Sequence, residues 1–589
     1  MRKKYFMKFS LFATYLDQLE ATSSRLSLIE ILSEVFKKIH KDEIDKVIYL
    51  MQGRVAPFFA PIEMGMADKM VASAIALAYG EEKEDVLKEN REKGDLGLVA
   101  FSLSAKKEGK NDQLSVVDVF QKLLTIAQTG GEGSVEKKTA QFSALLQDLD
   151  TVSVKHTVRI ALGKTRLGIG DPTVLDALAL AILGDRGQRK FLEKAYNETS
   201  DLGLIGTTLL SGGLEAVKKL TITVGRPIRS QLCERLPNPT KVFEKMGDSI
   251  HATYKYDGFR VQIHKSGDEV RMYSRNLEDM THMFPELIEG TLTQISVKTA
   301  ILDTEALAYQ PESEEFLPFQ ETTKRRRKHN IDEVARKLPL KAFVFDILYA
   351  DGKSLIDTPL EKRREIMQEI ITGDDILIPS PGVMLHRAQD LQVMLDDAIT
   401  KGLEGVVVKK PDSLYEAGGR SFNWVKLKRH SSGELQDTID CVILGYIFGR
   451  GKRVDFGAGA LLVGVYDKEA DEFVSVTKIG TGLTDDEWRS IKEKTKGSEL
   501  DHKPARVNSK IEPSVWVRPE IVIEVLADEI TRSPNHTAGM KMVDGKLSEP
   551  GYALRFPRLM KFRDTDKKPE DATSVDELIK MFEAQGKQD

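Results

Sequence analysis

Residues 255–276 read KYDGFRVQIHKSGDEVRMYSRN. Apolar residues alternate along this stretch, Val261 and Ile263 before Ser266-Gly267-Asp268 and Val270 and Met272 after it, which is the pattern of two strands joined by a turn. Just ahead of the hairpin stand Lys255, Asp257 and Gly258, and a glycine there lets the backbone turn tightly beside a ligand. A lysine closing a strand can act as a nucleophile. Its amine has a free pKa of about 10.4, so neighbouring cations or a metal must first remove its proton. Taken alone, K-x-D-G also fits an exposed turn in which a lysine merely stands beside an aspartate.

Working outward, the period changes on both sides. Residues 1–225 read as helices: Leu28, Ile29, Leu32, Val35, Phe36 and Ile39 recur at three- and four-residue spacing and form one face. Asp171, Pro172 and Gly184 bracket a short buried helix over 173–183 as cap, first-turn proline and terminator. DLGLVA at 95–100 is echoed by DLGLIG at 201–206, which suggests two related halves. Downstream, strands are expected at 300–309, 341–349, 405–409 and 424–428, with a helix over 361–371. The polar run HSSGELQ at 430–436 reads as a linker. Short strands beyond it, at 441–448, 460–466, 473–479 and 521–526, have the spacing of a small barrel, and a helix is expected after Ser574. The domain expectation is therefore 1–225, 226–430 and 431–589.

The 589 residues are too many for one domain. With 86 basic against 91 acidic side chains the formal charge is −5, so no uniformly basic surface exists and any polyanion site is local. Two cysteines, Cys233 and Cys441, cannot build a disulfide scaffold or a four-cysteine zinc site, and they fit a reducing, cytoplasmic setting. The longest apolar run, 174–183, is broken by Asp176 and is far shorter than the roughly 20 residues of a membrane span. The N-terminal MRKKYFMKFSLFATYL reads as an amphipathic helix, with a signal peptide as the alternative, because Lys8 breaks its apolar patch and Asp17 and Glu20 replace a cleavage site.

After Lys255 come SRN at 274–276, ILDTEAL at 301–307, FVFDILYADG at 343–352, EGVVVKK at 404–410 and WVKLK at 424–428. In that order these motifs resemble those of the covalent nucleotidyltransferases, specifically the ATP-dependent DNA ligases of archaeal and eukaryotic replicative type. RPIRSQLCERL at 226–236, LGKTRLGIGDPTVLDAL at 162–178, KIGTGL at 478–483 and LRFPRLMKFR at 554–563 extend the likeness over most of the chain. The resemblance implies an all-α DNA-binding domain, an α+β adenylyltransferase domain of ATP-grasp-like type and a C-terminal OB-fold β-barrel encircling DNA.

It also implies roles. Lys255 would take AMP from ATP, pass it to the 5′-phosphate of a nick, and the 3′-hydroxyl would displace it. Arg260 and Arg275 match residues that hold ribose hydroxyls or the 5′-phosphate, and Phe345 matches one that stacks on adenine. Phe345 can equally be core, since Phe343, Phe345 and Ile347 alternate. Lys409, Lys426 and Lys428 would stabilise phosphate charge. Glu305 and Glu404 are the matched carboxylates for Mg2+, with Mn2+ as the substitute; Glu305 also lies in the nucleotide set. Asp257 would help position Lys255 or a metal-bound water. Thr253 stands where the family usually has a glutamate near the adenine amino group. Arg563 and Lys567 match a C-terminal motif stretched by one residue. NAD is disfavoured, because ligases that use it carry a four-cysteine zinc module.

Nicked duplex DNA is the expected partner. KRRRK at 324–328, including Arg325 and Arg326, and the stretch 401–430, with seven Lys/Arg against three Asp/Glu, offer phosphate contacts. Lys164 and Arg166, and the loop GGEGS at 130–134 ahead of Lys137 and Lys138, are further candidates. QLSVVDVF at 113–120 is similar to a sliding-clamp-binding peptide but lacks its paired terminal aromatics and fits a helix face better. A monomer without membrane attachment is expected. The rival readings are an RNA ligase or capping guanylyltransferase, against which the long helical region argues, and a catalytically idle DNA clamp, which would need no aligned carboxylates.

Overall fold

The computed structural model describes residues 6–22, 24–106, 113–309, 317, 322–325, 330–400, 403–428, 438–448, 458–480, 483–527, 529–543, 546–555, 557–563 and 567–584. The chain packs as two compact units, 1–429 and 430–589. The expected 430–436 linker lies outside the described residues. Among the described residues, no helix is long and apolar enough to cross a membrane.

The first unit opens with helices whose apolar faces share one core. Helix Phe9–Ala21 buries Phe9, Phe12, Leu16 and Leu19, the amphipathic alternative for the N-terminus. Helix Arg25–Lys38 buries the expected face of Leu28, Ile29, Leu32, Val35 and Phe36. The two DLGL segments are both helix starts, with the Asp95 carboxylate accepting from the Gly97 amide and that of Asp201 from the Leu204 amide, so the echo is one of capping chemistry. The short helix runs Asp171–Leu178 with Gly170, not Asp171, at its cap. It continues as a π-helical turn, Ala179–Leu183, ended by Gly184 at φ +72°. QLSVVDVF forms the start of helix Val116–Gln128, capped by Ser115, and buries Val116, Val119 and Phe120 in the core.

Two sheets follow. The first has strands β1 (Leu232–Arg235), β2 (Ile250–Lys255), β9 (Gly382–Leu385), β10 (Gly405–Lys409) and β11 (Arg420–Lys428) in the order β1-β11-β10-β2-β9. The second has β3 (Phe259–Ser266), β4 (Glu269–Ser274), β5 (Thr299–Ala308), β6 (Leu340–Ala350) and β7 (Lys353–Ser354) in the order β4-β3-β5-β6-β7, with β8 (Leu377–Pro379) parallel to β6. The hairpin read in the sequence is β3-β4, pairing Val261 with Ser274 through Ser266 with Glu269. Even-numbered Leu302, Ala306 and Ala308 of β5 face an apolar core with Val261 and Ile263, so Asp303 and Glu305 face the other way.

In the second unit, strand Ile439–Ile447 pairs with Ala460–Asp467 and Val522–Leu526, and these pair onward with Glu472–Ile479 and Arg558–Phe562. Helix Val575–Ala584 follows Ser574 as expected. Among the described residues the pairings form a branched open sheet and close no barrel.

Candidate active site

Strand register builds the site. Three strands of the first sheet, β2, β10 and β11, lie side by side, with Gly405 opposite Lys255 and Lys428, Val407 opposite Thr253 and Lys426, and Lys409 opposite His251 and Trp424. Side chains alternate along a strand, so one face carries three successive rows. This face and residues from β3, β5 and β6 enclose a cavity of about 470 Å3 lined by Lys255, Glu305, Phe345, Glu404, Lys409 and Lys426 among others. Thr253, Arg260, Arg275 and Lys428 line it too. The structure thus brings the sequence-predicted catalytic, nucleotide and metal positions together.

At one end, Glu404 holds two amines, with Lys255 Nζ at 2.6 Å and Lys428 Nζ at 2.8 Å. Burial works to raise the Glu404 pKa, but the Lys255 ammonium and hydrogen bonds from neighbouring side chains pull it down to about 2. Glu305 behaves oppositely. Burial pushes its carboxyl up to about 7, against the pull of Lys255 and Arg260 and of the Gly258 amide, which donates to Glu305 Oε1 at 3.2 Å. Environment has separated the two carboxylates. Lys426 is shifted down, by burial and by the like charges of Lys428 and Lys255. Gly258 links β2 to β3 where a Cβ would lie 2.3 Å from the Ala306 carbonyl oxygen, which explains the glycine of the motif.

At the inner end, burial lowers Lys409 to about 8; its Nζ donates to the Phe345 carbonyl at 3.0 Å and lies 3.8 Å from the Trp424 ring centroid. The expected shared face of Phe343, Phe345 and Ile347 is broken. Val344 pairs with Thr304 and Asp346 with Asp303, so Phe345 is an extra residue in a bulge. Ile347 turns to the core while Phe345 lines the cavity. Phe343 stacks on Tyr256 at 3.8 Å.

Arg260 is anchored more heavily than its motif indicates: Nε donates to Asp303 Oδ1 at 3.0 Å and Nη1 to the Gln231 carbonyl at 2.7 Å, while Tyr415 donates to Asp303 Oδ2 at 2.8 Å. Behind β6, Asp346 accepts from Arg363 Nε at 2.7 Å and Nη2 at 3.0 Å. The sequence reading gave Asp303, Tyr415, Asp346 and Arg363 no roles. Acids at alternate positions of strands otherwise apolar, within ILDTEAL and FVFDIL, were the available signal.

Elsewhere the expectations fare differently. Arg325 is corrected: its side chain is 1% exposed and pairs with Glu286, so it presents nothing to a phosphate. Arg326 lies outside the described residues, as does Asp566. Lys164 is ion-paired with Asp68 at 2.9 Å, and Arg166 donates to the Gly94 carbonyl at 2.6 Å and meets Asp95 at 3.1 Å. Lys138 is buried and donates to the Met64 carbonyl at 3.0 Å. Arg563 pairs with Glu524 at 2.9 Å and Lys567 with Asp440 at 2.5 Å. Asp17, Glu20 and His156 bring three ligand-type atoms within 4.8 Å. Lys155 and Arg159 already neutralise those carboxylates, so a magnesium ion has no free charge to meet there.

A strand-end lysine before an Asp-Gly turn, facing carboxylates and further lysines in a cavity between two sheets, defines a covalent nucleotidyltransferase. Within that class the chain belongs to the ATP-dependent DNA ligases. Family models described as DNA ligase N terminus, ATP dependent DNA ligase domain and ATP dependent DNA ligase C terminal region match residues 8–179, 230–428 and 455–567. A probable DNA ligase of Dictyoglomus turgidum is 47% identical over 582 residues, covering 99% of this chain and 98% of the relative. The DNA ligase of Sulfolobus acidocaldarius is 38% identical over 591 residues, 98% of each chain. A solved structure titled Pmar-Lig_Pre matches with a TM-score of 0.53 at 16% identity, over 94% of this chain and 99% of that one, a likeness of fold. The protein is an enzyme that seals nicks in DNA with ATP through adenylylation.

Proposed function

We propose that Lys255 is the group adenylylated, and that the three rows of the cavity floor divide the work. The observation that carries this is at the Lys255 row, where Glu404, the residue before Gly405, holds the two amines of Lys255 and Lys428 with one carboxylate. Glu404 holds the Lys255 side chain in place; attack on the α-phosphate requires that this pair open and that the attacking amine carry no proton. Lys426 and Lys428 then meet the phosphate charge; the pKa of Lys426 is lowered by burial first and then by neighbouring cations, a crowding that a polyanion would relieve. Phe345 offers its ring to the base, and Arg260, fixed by Asp303, keeps a rigid guanidinium at the wall. Arg275, exposed in the turn after β4, faces the substrate from the rim.

Glu305 on β5 and Glu404 just ahead of β10 are hard oxygen donors lining the same cavity and suit Mg2+, with Mn2+ as the alternative. Bound there, the ion would supply charge stabilisation at the α-phosphate. We place DNA binding in a helical domain at 1–225 with Lys164 as a contact, adenylyl transfer in 226–430, and an OB-type role in 431–589.

The test is incubation of the full chain with α-labelled ATP and magnesium without DNA. An acid-labile label on Lys255, lost in Lys255→Ala and Lys255→Arg together with nick sealing, is expected. Unimpaired sealing by Lys255→Arg would refute the assignment.

A further inference from the structure

The inner end of the cavity differs in charge from the end that holds Lys255. The acids lining the cavity are Asp257, Glu305 and Glu404, and all stand at or beside the Lys255 row. The two inner rows hold Thr253, Val407 and Lys426, then His251, Lys409 and Trp424, walled by Phe345 and Ser380. Thr253 lies two residues in from Lys255, about 6.6 Å along the strand and on the same face, and lines the same cavity. Its backbone is held on both sides, opposite Val407 in β10 and Gly382 in β9, so the side chain does the reading.

Fixed donors dominate there. The indole Nε1 of Trp424, a cavity-lining residue 2% exposed, has no hydrogen-bond partner among the described residues. Arg364 donates through Nη2 to the Ser380 carbonyl at 3.0 Å, while its Nη1 is buried without a partner among the described residues. Arg363, Arg364 and Lys409 surround the single carboxylate of Asp346, leaving an excess of buried positive charge; it contributes, after burial itself, to the lowering of His251 to about 3. An adjustable group facing this end is the Thr253 hydroxyl, whose bond to the Val407 carbonyl is long at 3.4 Å. A hydroxyl both donates and accepts, whereas a carboxylate only accepts. The 6-amino group of adenine is a donor, and the 6-oxo group of guanine or hypoxanthine an acceptor.

We infer that this base site takes 6-oxopurine nucleoside triphosphates as well as ATP, with the Thr253 hydroxyl accepting from a 6-amino group or donating to a 6-oxo group. The inference rests on the assignment of Lys255. In the step, the Lys255 nitrogen bonds the α-phosphorus, the bond to pyrophosphate breaks with its electron pair on the leaving oxygen, and the ammonium protons pass to solvent, leaving lysyl-GMP or lysyl-IMP.

The test follows covalent labelling of the full chain by ATP, GTP and ITP under magnesium, read by intact mass and by initial rates. A pocket that makes no dedicated hydrogen bond to the distinguishing substituent discriminates by about 10²-fold, and one built to hydrogen-bond it by about 10⁴-fold or more. The expected ratio of kcat/KM for ATP over ITP is below about 10³, and a ratio above that overturns the inference. ITP lacks the 2-amino group, so it tests the 6-oxo edge with its N1–H even where GTP is rejected by size. Failure of ATP itself to label the chain would strike the Lys255 assignment instead. Thr253→Glu, checked for folding by thermal melting, should raise the ratio at least about tenfold by adding a fixed acceptor. An unchanged ratio in a folded variant counts against Thr253 as the reader.

Discussion

Replacing Gly258 by alanine should damage chemistry out of proportion to its effect on stability. A Cβ at this position would lie 2.3 Å from the Ala306 carbonyl oxygen, 2.9 Å from Leu307 Cγ and 3.0 Å from the Ala306 carbonyl carbon. Ordinary contact begins near 3.4 Å, so the start of β3 and the end of β5 must separate by about 1 Å. That separation moves the Gly258 amide off Glu305 and displaces Glu305 relative to Lys255. Misplacement by about 1 Å costs on the order of 10²-fold in rate, while overpacking of this kind costs about 1–3 kcal/mol. Gly267 supplies the control. It sits in the β3-β4 turn at φ +60° with no atom near its would-be Cβ, so Gly267→Ala should cost about 1 kcal/mol through backbone strain alone. Single-turnover formation of lysyl-AMP and thermal melting, measured on both variants, separate the two effects: both melt earlier, and only Gly258→Ala loses rate. A folded Gly258→Ala that adenylylates within about threefold of the parent would refute the steric argument.

Two further outcomes follow from buried charge. Arg325→Gln should lower the melting temperature, because it leaves Glu286 without its partner at a cost of about 3–5 kcal/mol, and should leave the salt dependence of nick binding unchanged. A fall of about 0.9 in that slope with no loss of stability would restore Arg325 as a phosphate contact. In the helical region, burial pushes His156 down to about 4, and Glu20, despite its burial, is drawn down to about 2 by Arg159 and Lys155. Both groups bind fewer protons folded than unfolded, so both lose stability as pH falls. The histidine contribution fades from about pH 6.5 to 4, worth roughly 3 kcal/mol, and the glutamate contribution from about pH 4.5 to 2. Urea unfolding of the helices followed from pH 7 to 3 should show a steady loss, and a flat profile would refute the pairing.

Much of the site is legible in the sequence because strand alternation is short-range. Lys255, Lys426 and Lys428 could be placed on strands from local pattern, with Glu404 just ahead of one, and those strands form where expected. Phe345 shows where this fails. Period-two counting groups it with Phe343 and Ile347, but a bulge adds a residue to β6 and sends Ile347 to the opposite face, and a bulge depends on the partner strand. Arg325 fails for a related reason. A run of five basic residues reads as a solvated patch, yet helix Pro285–Gln294 brings Glu286 against one of them, a contact spanning 39 residues that no local window contains. The buried supports of Arg260 and Lys409 were hidden likewise, since Tyr415 and Arg363 reach Asp303 and Asp346 across the fold.

The register of β2, β10 and β11 makes the cavity a single object. Because Gly405, Val407 and Lys409 each stand between one residue of β2 and one of β11, a shift of any strand by one residue would turn its whole row out of the cavity. The same pairing separates two electrostatic regimes within three rows: an outer one where Glu404 balances Lys255 and Lys428, and an inner one where Lys409 and the arginines outweigh Asp346. Under the proposed division of roles, phosphate chemistry needs the first to open and close as charge comes and goes. Base binding needs the second to stay fixed, and burial of Lys409 and Arg363 against Asp346, a pair that would be costly to break, holds it so. The lysine proposed to react therefore sits at the partly exposed end, and Lys409 is sealed at the other, by the geometry of one sheet.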